Sequence, residues 1–250
     1  MDIRKNKLPI TIAFLVCFLV ITLTFNANNS PVQQGRQAQP ADISVGSPNS
    51  SSLLAARTIV LDAGHGGMDG GAVGVNGELE KDINLAIVKN LQHLLEFSGF
   101  KVILTRDSDR SMHTEGVTGI RNQKVSDMEN RKAVIDSHPE SLFFSIHQNR
   151  FTSPRFTGAQ MFYTDMHSDN YKLAQILQDC FAQLQVGNER EVKLIDNELY
   201  LFKSTQQPAV LIECGFLSNP DEAARLNTPE EQKRVAFTIY KGIMEYLKNT

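Results

Sequence analysis

Thr58-Ile59-Val60-Leu61-Asp62-Ala63-Gly64-His65-Gly66-Gly67 is an apolar run that ends on a histidine set among glycines. The run reads as a buried strand, and the glycines mark where the backbone turns sharply as it leaves that strand. Bare backbone leaves room around the imidazole. Glu80 follows just before an amphipathic segment, so a carboxylate at the edge of a helix can swing back to the point where His65 sits. An imidazole and a carboxylate brought together in this way begin a metal site.

Outward from this stretch, apolar runs alternate with amphipathic segments, the pattern of an α/β sheet covered by helices. Ile83, Ile87, Leu91, Leu94 and Leu95 recur at helical spacing over 82–97, and Ser98-Gly99 closes that helix. Strands are expected at 58–62, 101–105, 141–147, 158–164, 198–202 and 209–213. Helices are expected at 124–136 and 169–185, with a polar surface excursion at 107–123. Two more helices follow, started by Asn219-Pro220 with Glu222 and by Thr228-Pro229 with Glu231.

Upstream, the apolar segment 8–25 comes after Arg4, Lys5 and Lys7, the charge-then-apolar order of an export signal. Its length is borderline for spanning a bilayer, so residues 1–27 read as a signal peptide or, if retained, as an N-terminal membrane anchor. Residues 28–56 are rich in Pro, Gln, Ser and Asn and read as a flexible linker, leaving 57–250 as the catalytic domain. A formal charge of -3 without a long basic run argues against a nucleic-acid surface. Cys17, Cys180 and Cys214 lack paired spacing, and Cys180 reads as a buried thiol.

In open α/β sheets, ligands gather at the carboxyl ends of the strands. Three strands deliver His65, His147 and Glu213 to that edge, and Glu80 arrives from the loop after the first. Two imidazoles and one carboxylate with an open fourth position are the composition of a catalytic zinc site, so His65, Glu80 and His147 are the expected ligands. Such an ion acidifies water and polarises a carbonyl oxygen. Glu213 ends a hydrophobic strand, is poorly solvated there, and is suited to exchanging a proton. These parts suit amide hydrolysis.

Rival readings are weaker. Glu78 competes with Glu80, but the spacing to Lys81-Asp82 favours Glu80. His93, His113, His138 and His167 have no partners at suggestive spacing, although His113 can line the groove. A Cys214 thiolate activated by His147 would leave His65 and Glu80 unexplained. The glycines lack the Lys-Ser or Lys-Thr of a phosphate loop.

The motifs Asp62-Ala63-Gly64-His65-Gly66-Gly67, Glu80-Lys81-Asp82, Ser145-Ile146-His147-Gln148-Asn149 and Glu213-Cys214-Gly215-Phe216-Leu217-Ser218-Asn219 resemble those of the zinc-dependent N-acetylmuramoyl-L-alanine amidases. The likeness runs from Thr58 to the C-terminus. It implies a single twisted, mostly parallel mixed sheet of about six strands with helices on both faces. It also implies one zinc ion per chain on His65, Glu80 and His147, with Glu213 as the catalytic glutamate. The substrate implied is peptidoglycan, cut between muramic acid and L-alanine. Arg131 matches a position where the family commonly has arginine, and a structural role comes first for it. Within the family, 153–160 and 121–131 are most similar to the germination-specific, CwlD-type branch. That branch implies work in the spore cortex on the way to muramic δ-lactam, outside the cytoplasm, and in some relatives a lipoprotein partner. A general vegetative wall amidase and a non-catalytic binding homologue are the alternatives; a decayed copy would have lost one of the four residues, and all four are present.

Overall fold

A computed structural model describes residues 57–195 and 199–250, all within the unit Gly46–Thr250. In chain order these form β1 (Thr58–Ala63), α1 (Glu80–Phe97), β2 (Lys101–Leu104), α2 (Ile120–Asp136), β3 (Leu142–Asn149), β4 (Gln160–Tyr163), α3 (Asn170–Leu184), β5 (Lys193–Leu194), β6 (Ala209–Phe216), α4 (Pro220–Leu226) and α5 (Pro229–Lys248). The six strands stand in the order β2-β1-β3-β6-β4-β5. Neighbours from β2 to β6 are parallel, while β4 runs antiparallel to β6 and carries β5 parallel to itself. This is the mixed, helix-flanked α/β architecture the sequence pattern leads to.

The order of the strands places the helices. From β1 the chain steps outward to β2, and from β2 it returns past β1 to β3. Parallel crossovers are right-handed, so two steps in opposite directions send their helices to opposite faces. α1 accordingly buries Ile83, Ile87, Leu91 and Leu95 with Ile59, Leu61, Phe144 and Ile146, in a core that α3 and α5 share. α2 puts Ile135 with Val60, Phe143 and Leu211 on the other face. Between β1 and β3 the crossovers diverge, and a crevice opens there at the strands' carboxyl ends.

Several boundaries move. The strand expected at 198–202 is not formed: Leu199 to Phe202 are turn and irregular residues, and Glu198 lies outside the described residues. Leu201 and Phe202 are instead buried against the α2 face, with the rings of Phe143 and Phe202 5.2 Å apart. β5 is the edge strand in its place. α2 begins at Ile120, just past Gly119 at φ 83°, so the excursion is shorter than its polarity suggests. Both expected helix starts at Asn219 and Thr228 form, with their side chains accepting from the amides of Glu222 and Glu231.

Among the described residues no helix is long and apolar enough to cross a membrane. The expected signal or anchor at 1–27 and the linker at 28–56 lie outside the described residues.

Candidate metal centre

The first strand supplies His65 by way of an uncommon backbone. His65 has φ 64°, the one positive value outside glycine among the described residues. That conformation costs an ordinary side chain free energy, so the surroundings must impose it. Two buried arginines do so. Arg131 donates Nη1 to the Ala63 carbonyl (2.9 Å) and Nη2 to that of His65 (2.5 Å), and Arg106 donates Nε to Ala63 (2.8 Å) and Nη2 to Gly64 (3.1 Å). Arg131 is anchored in turn on Asp62 and Asp127, at 2.6 and 2.7 Å.

Glu80 is the first residue of α1, and the loop before it caps the helix. Its amide donates to the Ala72 carbonyl and that of Lys81 to Gly70. Main-chain capping explains why α1 starts at Glu80, with no capping side chain at Leu79. The carboxylate, almost fully buried, accepts from the amides of Ala72 (2.7 Å) and Gln148 (3.0 Å).

Glu80 meets both imidazoles. Oε2 lies 3.1 Å from His65 Nε2, and Oε1 lies 2.9 Å from Nδ1 of His147, which projects from β3. One donor atom from each of the three lies within 4.8 Å of the others. Room for this comes from glycine: a Cβ on Gly64 would overlap the His147 ring, and one on Gly71 would sit 2.5 Å from Glu80 Oε2. Behind His65, Asp69 accepts at Nδ1 (3.0 Å) and fixes the ring; Lys124 holds Asp69 at 3.1 Å.

Glu213 on β6 pairs in register with His147, so both project on the same face of the sheet. With His65, Asp127, Arg131, Met128 and the segment Leu199–Phe202, they line a cavity of about 230 Å³. Glu213 Oε2 is buried with no hydrogen-bond partner. Its burial pushes the carboxyl up to about 7, with the two imidazoles opposing and Glu80 adding to that rise.

Charge in the cluster is arranged for a cation. Burial alone would raise Glu80, but its hydrogen bonds to His147 and His65 outweigh it and hold the carboxyl well below the usual range. Burial would lower His147, yet the bond to Glu80 and the charges of Glu80, Glu213 and Asp62 lift it to about 9. Two imidazoles and a carboxylate within reach of one point, beside a buried carboxylate oxygen with no partner, fit a zinc ion with an open coordination position.

His65, Glu80, His147 and Glu213 therefore come together from four separate segments. Glu78 does not join them; it folds back on the amide and side chain of Asn76. His113 bonds Ser111 and does not line the cavity. Cys214 is buried in the core on the α1 face, where burial pushes its thiol up, so it cannot serve as nucleophile here. Cys180 is a buried thiol. Asp69 and Arg106 escaped the sequence reading: Asp69 had a signal, an acid four residues past the histidine, whereas Arg106 looked like any charge after an edge strand.

Comparison with known proteins covers the part of the chain that carries this site. A family model described as N-acetylmuramoyl-L-alanine amidase matches residues 59–245. The germination-specific N-acetylmuramoyl-L-alanine amidase of Bacillus subtilis strain 168 is 40% identical over 193 residues, covering 77% of this chain and 81% of that protein. The amidase AmiA of Escherichia coli K12 is 28% identical over 233 residues, 76% of each. Among solved structures, the CwlD amidase of Clostridioides difficile, determined in complex with the GerS lipoprotein, superposes with a TM-score of 0.75 at 42% identity, covering 78% of this chain and all of that one.

Proposed function

This chain belongs to the N-acetylmuramoyl-L-alanine amidase family, and we propose that it hydrolyses the amide between N-acetylmuramic acid and L-alanine in peptidoglycan. The observation that carries this reading is the His65–Glu80–His147 donor cluster with the unpartnered Glu213 carboxylate beside it.

His65, Glu80 and His147 would hold one zinc ion, which when bound supplies a Lewis acid for the scissile carbonyl and makes water more acidic. Glu213 takes a proton from the attacking water and returns it to the departing nitrogen of L-alanine. The C–N bond breaks, the lactyl group leaves as a carboxylate and the peptide leaves with a free amine. A carboxyl that burial holds near 7 suits both halves of that exchange. Asp69 orients the His65 ring, and Arg131 and Arg106 hold its backbone.

Likeness to the Bacillus subtilis germination-specific amidase supports a spore-related role; on this reading the chain acts on spore cortex, outside the cytoplasm, on the way to muramic δ-lactam. The solved CwlD–GerS complex supports a lipoprotein partner. Residues 1–27 would export the chain or anchor it, with 28–56 as the linker to the catalytic domain at 57–250.

Mass spectrometry of cortex and vegetative wall, digested before chelation, after it, and after restoring zinc, tests the reading. New L-alanine amines that vanish with chelator and return with zinc are the expected result. Cleavage that survives complete chelation removes the metal from the reaction. Binding to the wall without cleavage under any condition identifies a non-catalytic homologue.

A further inference from the structure

A row of side chains leads away from the metal centre across the sheet. His147 on β3 pairs with Glu213 on β6, and Glu213 pairs with Gln160 on β4. Residues in register share a face, so the row carries the site's edge sideways by about 5 Å per strand. At its end Arg190 donates Nη1 to Gln160 Oε1 (3.2 Å) and Nε to the Thr157 carbonyl (2.7 Å). Its guanidinium lies 4.4 Å from the ring centre of Phe216 and 5.8 Å from that of Phe156.

The loop at 150–158, which leaves β3 beside His147, completes this end. Phe151 and Phe156 meet edge to face at 4.8 Å and are 55% and 42% exposed. Phe151 N donates to Ser218 Oγ, Asn219 Nδ2 to the Pro154 carbonyl, and Gly158 N to Glu222, so the loop is tied to the segment after β6. Arg150 and Arg155 are exposed on the same loop. Grooves of about 350 and 290 Å³ flank the two phenylalanines, the first lined by Arg150 and Phe151, the second by Arg155, Phe156 and Arg190 with one acid, the exposed Glu189.

Among the described residues, none of these three arginines has a carboxylate within 4.0 Å, whereas Arg110, Arg131, Arg225 and Arg234 all do. A solvated arginine by itself signifies nothing. Arg190, however, is stacked and hydrogen-bonded through two nitrogens, and its Nη2 makes no hydrogen bond among the described residues. A guanidinium held flat in this way has lost little further freedom to lose when it takes a carboxylate.

We propose that Arg190, with Arg150, Arg155 and the Phe151–Phe156 pair, forms a subsite for an acidic peptide, the part of the substrate on the leaving side of the scissile amide. This rests on the amidase reading and names what that site selects: free carboxylates on the stem peptide. The phenylalanines shield the charge pairs from water, and the row from His147 to Gln160 spans the distance between the cut bond and those carboxylates.

The zinc-loaded full chain is assayed on muropeptides whose stems carry free carboxyls and on the same stems amidated. Arg190→Gln and the double variant Arg150→Gln/Arg155→Gln are each compared with the parent. The kcat/KM preference for the free-acid stem should fall about tenfold, the worth of one charge-assisted hydrogen bond. A preference unchanged in both variants overturns the proposal, as does an equal loss on both stems, which would point to an acidic protein partner or to folding. Titration with a free acidic stem peptide, followed by NMR, needs no turnover: a parent that binds it more tightly than Arg190→Gln does supports the subsite even where wall cleavage fails, and equal affinities overturn it.

Discussion

Asp62 and Arg131, 69 residues apart in the chain, meet at 2.6 Å through Oδ1 and Nη1 with 1% and 2% of their side chains exposed. Burial would raise the Asp62 carboxyl, but Arg131, His147, Ser145 and Thr105 outweigh it and hold the pKa at about 2, against 3.8 for an ordinary aspartate. A depressed folded-state pKa gives stability that is present above the unfolded value and is lost as pH falls through the folded one. Asp62 should therefore contribute about 2 kcal/mol above pH ~4 that disappears toward pH ~2. Urea unfolding of the parent and of Asp62→Asn across this range checks it. The gap between the two should narrow with acid; a gap that stays constant would show that Asp62 is not ionised by its partners.

Gly64 has no tolerance for a methyl group, because a Cβ there overlaps the ring of His147. Gly64→Ala should displace that imidazole at a cost of about 1–3 kcal/mol in folding stability. Zinc affinity, measured by competition with a chromophoric chelator, should fall with it. An alanine variant that binds zinc as the parent does would mean that His147 does not need its present position to hold the ion.

Glu213→Gln preserves the shape of the side chain but removes the exchangeable charge. Turnover should drop by about two to four orders of magnitude while zinc content stays at one ion per chain. Loss of zinc in this variant would instead move Glu213 into the ligand set, and undiminished turnover would free it of any part in proton transfer.

Asp69 reaches the candidate metal site through the back of the His65 ring. Asp69→Asn should weaken zinc affinity by about 10–100-fold, the usual effect of losing the partner that orients a ligating imidazole. The melting temperature of the zinc-free chain should change little, since the pair is partly open to solvent. If melting falls while zinc affinity is retained, the contact serves folding and not the ion.

Much of this molecule was readable from the chain. The apolar runs of β1, β3 and β6 are long and buried on both faces, and α1, α3 and α5 carry apolar stripes, so the elements declared themselves. β5 could not be found in this way, because its two residues are both exposed and have no periodicity to show. Leu199–Phe202 misled for the opposite reason: an apolar run usually means a strand, but here two of its side chains cover Phe143 from a turn. Four ligand and base candidates could be named because His65, His147 and Glu213 fall at strand ends and Glu80 at the start of the helix that follows the first strand. Of the network behind them, Arg131 was marked as a structural arginine by its place in the family motif, but what it holds was not legible, and Arg106 was missed altogether, since both act on carbonyl oxygens and main-chain acceptors leave no trace in residue type.

The turn at His65 takes its shape from two guanidinium groups anchored elsewhere in the fold, and not from local preference alone. Anyone grafting this candidate ion-binding loop onto a foreign scaffold would have to carry along both arginines, the Asp62 and Asp127 carboxylates that anchor Arg131, and the Ser108 and Lys81 carbonyls that anchor Arg106. A graft of the glycine-flanked histidine by itself would relax, and its ring would turn away from the carboxylate it is meant to face.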